Sequence, residues 1–216
     1  MAQTATIFKA TLQIADMDRN YYADHALTLA RHPSETDERM MVRLLAFALN
    51  AHEALAFGRG LSTEDEPDLW QKDLTGNIEL WIEVGQPDEK RLRKACNRAT
   101  RVWVCNYGGR GADLWWEQNH ELLEKLDNLT VVNLPHPASR DLATLAQRNM
   151  QLQCTIQEGQ VWLGDGKQAV SFELATRKGA TSASGRGASR SSPAAANRVV
   201  PVFDPSRRAR GLRRLA

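Results

Sequence analysis

Glu66-Pro67-Asp68-Leu69-Trp70-Gln71-Lys72-Asp73-Leu74-Thr75-Gly76-Asn77-Ile78-Glu79-Leu80-Trp81-Ile82-Glu83-Val84-Gly85 reads as two strands joined by a tight turn. Gly76-Asn77 is a hairpin-turn signal between two apolar-rich runs. With residue 74 set opposite 77, Lys72 faces Glu79, Trp70 faces Trp81 and Leu69 faces Ile82. All three are favourable cross-strand pairs. The same register sets Asp68 opposite Glu83 on one face. Two facing carboxylates repel, so something positive is expected between them, and a divalent metal is the obvious candidate. In the second strand Ile78, Leu80, Ile82 and Val84 alternate with Glu79, Trp81 and Glu83, which predicts one wholly apolar face.

Before the hairpin, residues 4–14 and 21–31 alternate as strands, with a turn at 15–20. His32-Pro33 ends the second. Ser34 is a candidate helix N-cap, with Glu35, Asp37 and Glu38 in the first turn. Met41, Leu44, Leu45, Ala48, Leu49 and Leu55 keep helical spacing, predicting a helix over 35–56 that ends at Gly58-Arg59-Gly60. After the hairpin, Pro87 opens a helix over about 87–101. A short strand at 101–107 stops at Gly108-Gly109. A helix over 112–126, a strand at 129–134 and a short helix at 140–148 follow. Strands 150–157 and 160–163 form a hairpin around Glu158-Gly159, and 170–174 is the last predicted strand. The order predicts a mixed α/β (α+β) fold with a central mixed sheet and flanking helices. The outer hairpins would add a second sheet or a barrel-like part.

The 216 residues suffice for one well-buried domain, expected over 1–176. Of 28 basic and 26 acidic residues, ten basic and one acidic (Asp204) fall in 177–216, leaving 18 and 25 for the body. The body is therefore acidic, which argues against it as a simple nucleic-acid binder. The segment 177–216 is rich in Ala, Ser, Gly and Arg and is expected to be a disordered basic tail that adds affinity for nucleic acid or serves as a plain extension. No run of about 18 apolar residues marks a membrane span, and no signal peptide is visible. Cys96, Cys105 and Cys154 lack metal or redox spacing and read as free thiols in a reducing cytoplasm. The five histidines show no ligand spacing. Gly108-Gly109-Arg110-Gly111 lacks a P-loop lysine and reads as a turn.

Pro67-Asp68, then fourteen residues, then Glu83-Val84-Gly85 resembles the PD-(D/E)xK nuclease pattern. The helix–hairpin–helix order around it matches as well. The pattern's lysine is missing, since Gly85 stands in its place. Lys90 or Lys94 of the following helix, or Gln86 as a polar substitute, are the candidates to replace it. Glu38 has Met41, Val42 and Leu45 as its helical neighbours, so it points toward the apolar face and is the best helix acid.

The body also resembles one family, YaeQ. The resemblance rests on Thr28-Leu29-Ala30-Arg31-His32-Pro33-Ser34-Glu35-Thr36-Asp37-Glu38-Arg39-Met40-Met41, Arg59-Gly60-Leu61, Asp65-Glu66-Pro67-Asp68, Leu80 to Arg91, and Thr155-Ile156-Gln157-Glu158-Gly159. It covers roughly residues 3–176 and implies a compact bacterial variant of the nuclease superfamily with a restriction-endonuclease-like core. The expected site then has Asp68, Glu83 and the Val84 carbonyl holding Mg²⁺ or Mn²⁺. Glu38 assists with the metal or the water, and Lys90 or Lys94 stabilises the attacking water or the phosphate. The function implied is a metal-dependent nuclease-like protein acting on nucleic-acid phosphodiesters. The alternatives are a non-catalytic nucleic-acid or protein-binding module linked to transcription or another nucleic-acid process, and a structural protein that lost the metal.

Simpler readings stand beside these. Asp68 is then a polar strand end, and Glu83 pairs with Arg91 or Lys90. Glu38 is a first-turn acid favoured by the helix dipole. The basic run 90–94 is a solvated helix face, and Trp70–Trp81 is a packed cross-strand pair.

Overall fold

A computed structural model of the chain describes residues 5–58 and 66–181. Strands β1 (Thr6–Asp16) and β2 (Tyr21–Arg31) form the predicted N-terminal hairpin. In β1, Phe8, Ala10, Leu12 and Ile14 are buried while Ile7, Lys9, Thr11 and Gln13 are exposed, so alternation sets the core face.

Helix α1 (Asp37–Leu49) starts two residues later than expected. Its cap is Thr36, whose hydroxyl accepts from the Arg39 N–H at 3.1 Å. Ser34 instead bonds the His32 ring, and the Glu35 carboxylate turns back to the His32 N–H. The helix also stops seven residues early. Leu55–Phe57 is strand β3, paired antiparallel to β4 (Leu69–Lys72). Met40 to Ala48 are all buried, which makes α1 an interior helix rather than a surface one.

The decisive hairpin is β4 with β5 (Ile78–Val84). Leu69 faces Ile82 and Trp70 faces Trp81, as predicted. The two indoles pack edge to face, with centroids 6.5 Å apart and planes at 86°. The register then shifts: Gln71 faces Leu80 but Lys72 faces Ile78, so Glu79 bulges out of the ladder. The expected Lys72–Glu79 pair does not form. Glu79 accepts from the Gln71 amide, and the Lys72 ammonium lies 3.4 Å from the Trp70 ring centroid. The bulge also breaks the predicted single apolar face. Leu80, Ile82 and Val84 join the core with α1, whereas Ile78 packs with Trp81 on the other side. In the turn, Asp73 accepts from the backbone of Thr75 and Asn77 and from both their side chains. These bonds hold its carboxyl down to about 2.

Helix α2 (Glu89–Arg98) follows, capped by Asp88, which accepts from the Arg91 N–H at 2.7 Å. Strand β6 (Ala99–Asn106) runs parallel to β5. Helix α3 (Arg110–Leu123) leads to β7 (Leu129–Asn133), parallel to β6. Helix α4 is His136–Ala143, not 140–148: Pro137 in its first turn starts it earlier. Strands β8 (Asn149–Gln157), β9 (Gln160–Gly164) and β10 (Ala169–Glu173) come next. A further strand, β11 (Ala175–Lys178), pairs with β7. The tail expected beyond it lies, from residue 182, outside the described residues.

Two mixed sheets result, in the orders β10-β9-β8-β1-β2 and β11-β7-β6-β5-β4-β3. The fold is therefore mixed α/β, with four helices among the described residues. Helices α1 and α4 lie between the sheets, since one core holds Leu12, Leu44, Ile82, Leu142 and Leu152. Helices α2 and α3 cover the other face of the six-stranded sheet through Leu92, Trp115 and Leu123. Among the described residues no helix is long and apolar enough to cross a membrane. The three cysteines are free thiols, and burial pushes Cys105 and Cys154 up to about 12 and Cys96 to about 11.

Candidate functional site

The site is built where β5 ends. Asp68 is the residue before β4. Its N–H donates to the Ile82 carbonyl at 3.1 Å, and its own carbonyl accepts from the Gly58 N–H at 2.9 Å. That last bond brings two backbones together so closely that a Cβ on Gly58 would sit 2.0 Å from the Pro67 carbonyl oxygen. Asp68 is thereby fixed and buried, 5 % exposed. Its Oδ2 accepts from the Val84 N–H at 2.8 Å, and its Oδ1 accepts from Arg39 Nη2 at 2.7 Å.

Glu83, 3 % exposed, stands at the other side of the same strand end. Its Oε1 accepts from Trp81 Nε1 at 2.7 Å and from Arg91 Nε at 2.8 Å. Burial pushes its carboxyl up. Arg91 opposes this and the charge of Asp68 adds to it. The two acids are thus near enough to feel each other, yet each has its own guanidinium: Asp68 takes one from α1 and Glu83 takes one from α2.

Arg39 belongs to a longer chain of charges. Its Nη1 reaches Glu35 Oε1 at 3.0 Å. Glu35 also receives Arg43 Nε at 2.7 Å and Arg43 Nη2 at 2.8 Å, a bidentate pair whose side chains are both 2 % exposed. Burial works against the charge on Arg39, but Asp68 and Glu35 outweigh it and raise its pKa. Three acids (Glu35, Asp68, Glu83) therefore meet three arginines (Arg39, Arg43, Arg91).

The other predicted residues are placed less centrally. Glu38 is half-buried on α1 and accepts from Ser139 Oγ of α4 at 2.6 Å. Tyr107 stands within the fields of Arg39, Glu38, Asp68 and Glu35, and burial first among these influences pushes its hydroxyl up to about 12. Lys90 is exposed and Lys94 half-buried on α2; Arg91, between them, is the cation bonded to Glu83. Gln86 donates its amide to Asn106 Oδ1 at 2.8 Å and to the Tyr107 carbonyl.

Gly85, which stands where the nuclease pattern carries its lysine, has a backbone that disfavours any side chain. Its φ is +102°, and its N–H donates to the Cys105 carbonyl at 2.9 Å. Space is not the obstacle, because a Cβ would meet only Tyr107 Cε1, at 3.8 Å. The backbone is. Gly85→Lys is expected to destabilise the chain by about 1–2 kcal/mol through the left-handed conformation. Urea unfolding checks this, and an unchanged stability would refute the backbone explanation.

Among the described residues, no group of three or more His, Cys, Asp or Glu side chains is placed to hold a metal ion. What is present is a pair of hard carboxylate donors. Mg²⁺ is commonly held through one or two carboxylates with waters completing its shell, so the pair fits such an ion in kind. In charge, the pair is already matched by Arg39 and Arg91.

The YaeQ protein family model matches residues 1–174. The chain belongs to the YaeQ family. It is 48% identical over 174 residues to the YaeQ proteins of Salmonella typhi and Escherichia coli K12, covering 81% of this chain and 96% of each of those. Its fold is similar to the crystal structure of YaeQ from Xanthomonas axonopodis pv. citri, with a TM-score of 0.79, 51% identity, and coverage of 81% of this chain and 99% of that one. YaeQ from Pseudomonas syringae superposes with a TM-score of 0.78 at 39% identity, covering 82% of this chain and 98% of that one. The YaeQ resemblance of the body thus holds as a family membership, and Asp68, Glu83, Arg39 and Arg91 all lie within the matched span.

Proposed function

We propose that this YaeQ-family chain is a metal-dependent, nuclease-like protein of the PD-(D/E)xK type acting on nucleic-acid phosphodiesters. The observation that carries the reading is the pair of buried carboxylates, Asp68 immediately before β4 and Glu83 near the end of the neighbouring β5. They stand at the carboxyl end of the parallel strands β5 and β6, where α/β sheets place ligands. Asp68, Glu83 and the Val84 carbonyl would hold Mg²⁺ or Mn²⁺. Such an ion, when bound, polarises a phosphodiester oxygen and lowers the pKa of an attacking water.

The chain's own residues supply the rest. Arg39 and Arg91, with side chains 18% and 27% exposed, face solvent more than the acids they hold and would add positive charge toward a phosphate. Tyr107 stays protonated across the working pH range and can donate to an oxyanion. Glu38, which accepts from Ser139, would orient water. Lys90 and Lys94 add positive charge along α2 for the nucleic-acid backbone. A binding module without catalysis is the second reading. One observation favours it: both acids are already neutralised by arginines, and Gly85 replaces the pattern's lysine.

The test uses the full chain with end-labelled single- and double-stranded DNA and RNA, with Mg²⁺ or Mn²⁺. Cleavage that falls at least about a hundredfold in Asp68→Asn and Glu83→Gln is expected, the scale for losing one preorganised electrostatic group. Equal cleavage by wild type and both variants would overturn the assignment. Binding without cleavage, retained in both variants, would establish the second reading instead.

A further inference from the structure

We infer that strand β2 is an interface between two copies of this chain, pairing antiparallel with itself about a two-fold axis at Ala26, so that the two β10-β9-β8-β1-β2 sheets become one. The backbone shows which groups are free to do this. The N–H groups of Lys9 and Met17 donate to the carbonyls of Arg148 and Ile156, both at 2.9 Å, so the odd residues of β1 turn their backbone toward β8 and the even ones toward β2. Phe8, Ala10, Leu12 and Ile14 face Leu29, Leu27, His25 and Ala23. The backbone groups of Tyr22, Asp24, Ala26, Thr28 and Ala30 therefore point out of the sheet edge. Arg43 takes one of them, the Ala30 carbonyl. The N–H and C=O groups of Tyr22, Asp24, Ala26 and Thr28 have no partner among the described residues, and no described strand lies beyond β2.

Open strand edges are ordinarily blunted by shortness, charge, proline or a bulge, because they template pairing with other chains. The other edges of the two sheets obey. Strand β3 has 3 residues, β10 has 5, and β11 has 4 with a register shift and two cations, Arg177 and Lys178. Strand β2 has 11 residues, no proline, no lysine and an unbroken register with β1. Its inner row is also unfinished. Tyr21, Ala23, His25 and Leu27 are half-buried, whereas the β1 residues opposite them are buried. One more strand alongside would complete that burial.

The residues of β2 select a second copy of β2 as that strand. An axis at Ala26 overlaps the whole of Tyr21–Arg31 and makes hydrogen-bonded pairs only of outward-pointing residues. Ala26 meets itself, Asp24 meets Thr28 and Tyr22 meets Ala30. The Thr28 hydroxyl can then donate to the Asp24 carboxylate, a favourable cross-strand pair. Large side chains meet small ones: Tyr22, 61% exposed in the single chain, lies over Ala30, and Leu29 lies over Ala23. On the inner face His25 meets Leu27 and Tyr21 meets Arg31. No like charges are opposed, whereas an axis at Asp24 would set the two carboxylates against each other. Such self-complementarity is what an isologous contact requires. A foreign peptide added to the edge would have no need of it.

The test is sedimentation equilibrium of the full chain over a concentration series, with two variants that make the same charge change on the same exposed row of β2. The wild type is expected to show a reversible monomer–dimer equilibrium. Ala26→Lys sets two like charges against each other on the axis and is expected to weaken the dimer by about fivefold or more. Thr28→Lys sets a cation opposite the second copy's Asp24 and is expected to leave the dimer as tight as the wild type or tighter. Wild type that stays monomeric up to about 1 mM, where only marginal contacts persist, would overturn the pairing. So would a dimer that both lysines weaken alike, or that neither alters, because its interface then lies elsewhere. The wild-type series decides whether the chain pairs at all even where a variant does not fold.

Discussion

Glu35→Ala is expected to destabilise the fold by about 3–5 kcal/mol, the scale for removing one partner of a buried ion pair. The effect falls on Arg43. Its side chain is 2% exposed, and it sits within the run Met40 to Ala48 that is buried on every side. Its guanidinium bonds both oxygens of Glu35, and without them it keeps the Ala30 carbonyl, 3.1 Å from Nη2, and the face of the Phe57 ring, 5.9 Å away. Arg39 loses a partner too but keeps Asp68. Urea unfolding of Glu35→Ala, Arg43→Met and the double variant tests this. The double should cost clearly less than the two singles together, because it leaves no unpaired buried charge. A loss below about 1 kcal/mol for Glu35→Ala, within the range of ordinary exposed pairs, would show that Arg43 reaches solvent instead.

The parts of the fold that were legible share one property: their information is local. Alternation in Thr6–Asp16 and the turn chemistry of Asp73–Asn77 specify strands and a hairpin without distant partners. The parts misread depend on partners far along the chain. Leu55–Phe57 continues a helical pattern from α1, yet it extends because Leu69, Trp70 and Gln71 offer a strand edge. Ala175–Lys178 looks like the start of a basic tail until β7 is there to pair with it. The parallel pairing of β1 with β8 joins Leu12 to Leu152, and no local pattern announces it. The bulge at Glu79 is a subtler case. Lys72 opposite Glu79 is a sound pair, but burying Ile78 beside Trp81 outweighs an exposed ion pair of small value.

The candidate site was legible as acids and much less as bases. Asp68 and Glu83 stand out because hairpin register brings them near each other. Arg91 was visible only as one of two cations within reach of Glu83. Arg39 and Arg43 lie four residues apart on α1, with Glu35 four residues before Arg39 and just ahead of the cap, and Arg43 interrupts an otherwise apolar run from Met40 to Phe47. A charged residue in such a run must have a buried partner. That was the available signal, and it leads from Arg43 to Glu35, then Arg39, then Asp68. The Val84 N–H on Asp68 and the φ of Gly85 have no counterpart in residue type beyond the glycine itself.

Trp81→Ala is expected to cost about 3–5 kcal/mol, as for other large-to-small aromatic replacements in cores. Trp81 is wholly buried, its ring against Trp70 on one side and 5.7 Å from the Arg98 guanidinium on another. The replacement opens a cavity between β5 and α2 and also removes the indole donor from Glu83. Trp81→Phe separates the two losses. It keeps an aromatic ring in the core but leaves Glu83 with Arg91 as its bonded partner, at a cost of about 1.5–3 kcal/mol for a hydrogen bond to a charged group. Adding Glu83→Gln to Trp81→Phe should then cost less than Glu83→Gln costs in the wild type, since the bond the glutamate made to Trp81 is already gone. Thermal or urea unfolding of the four proteins gives that difference. Strict additivity would show that the indole N–H does not hold Glu83.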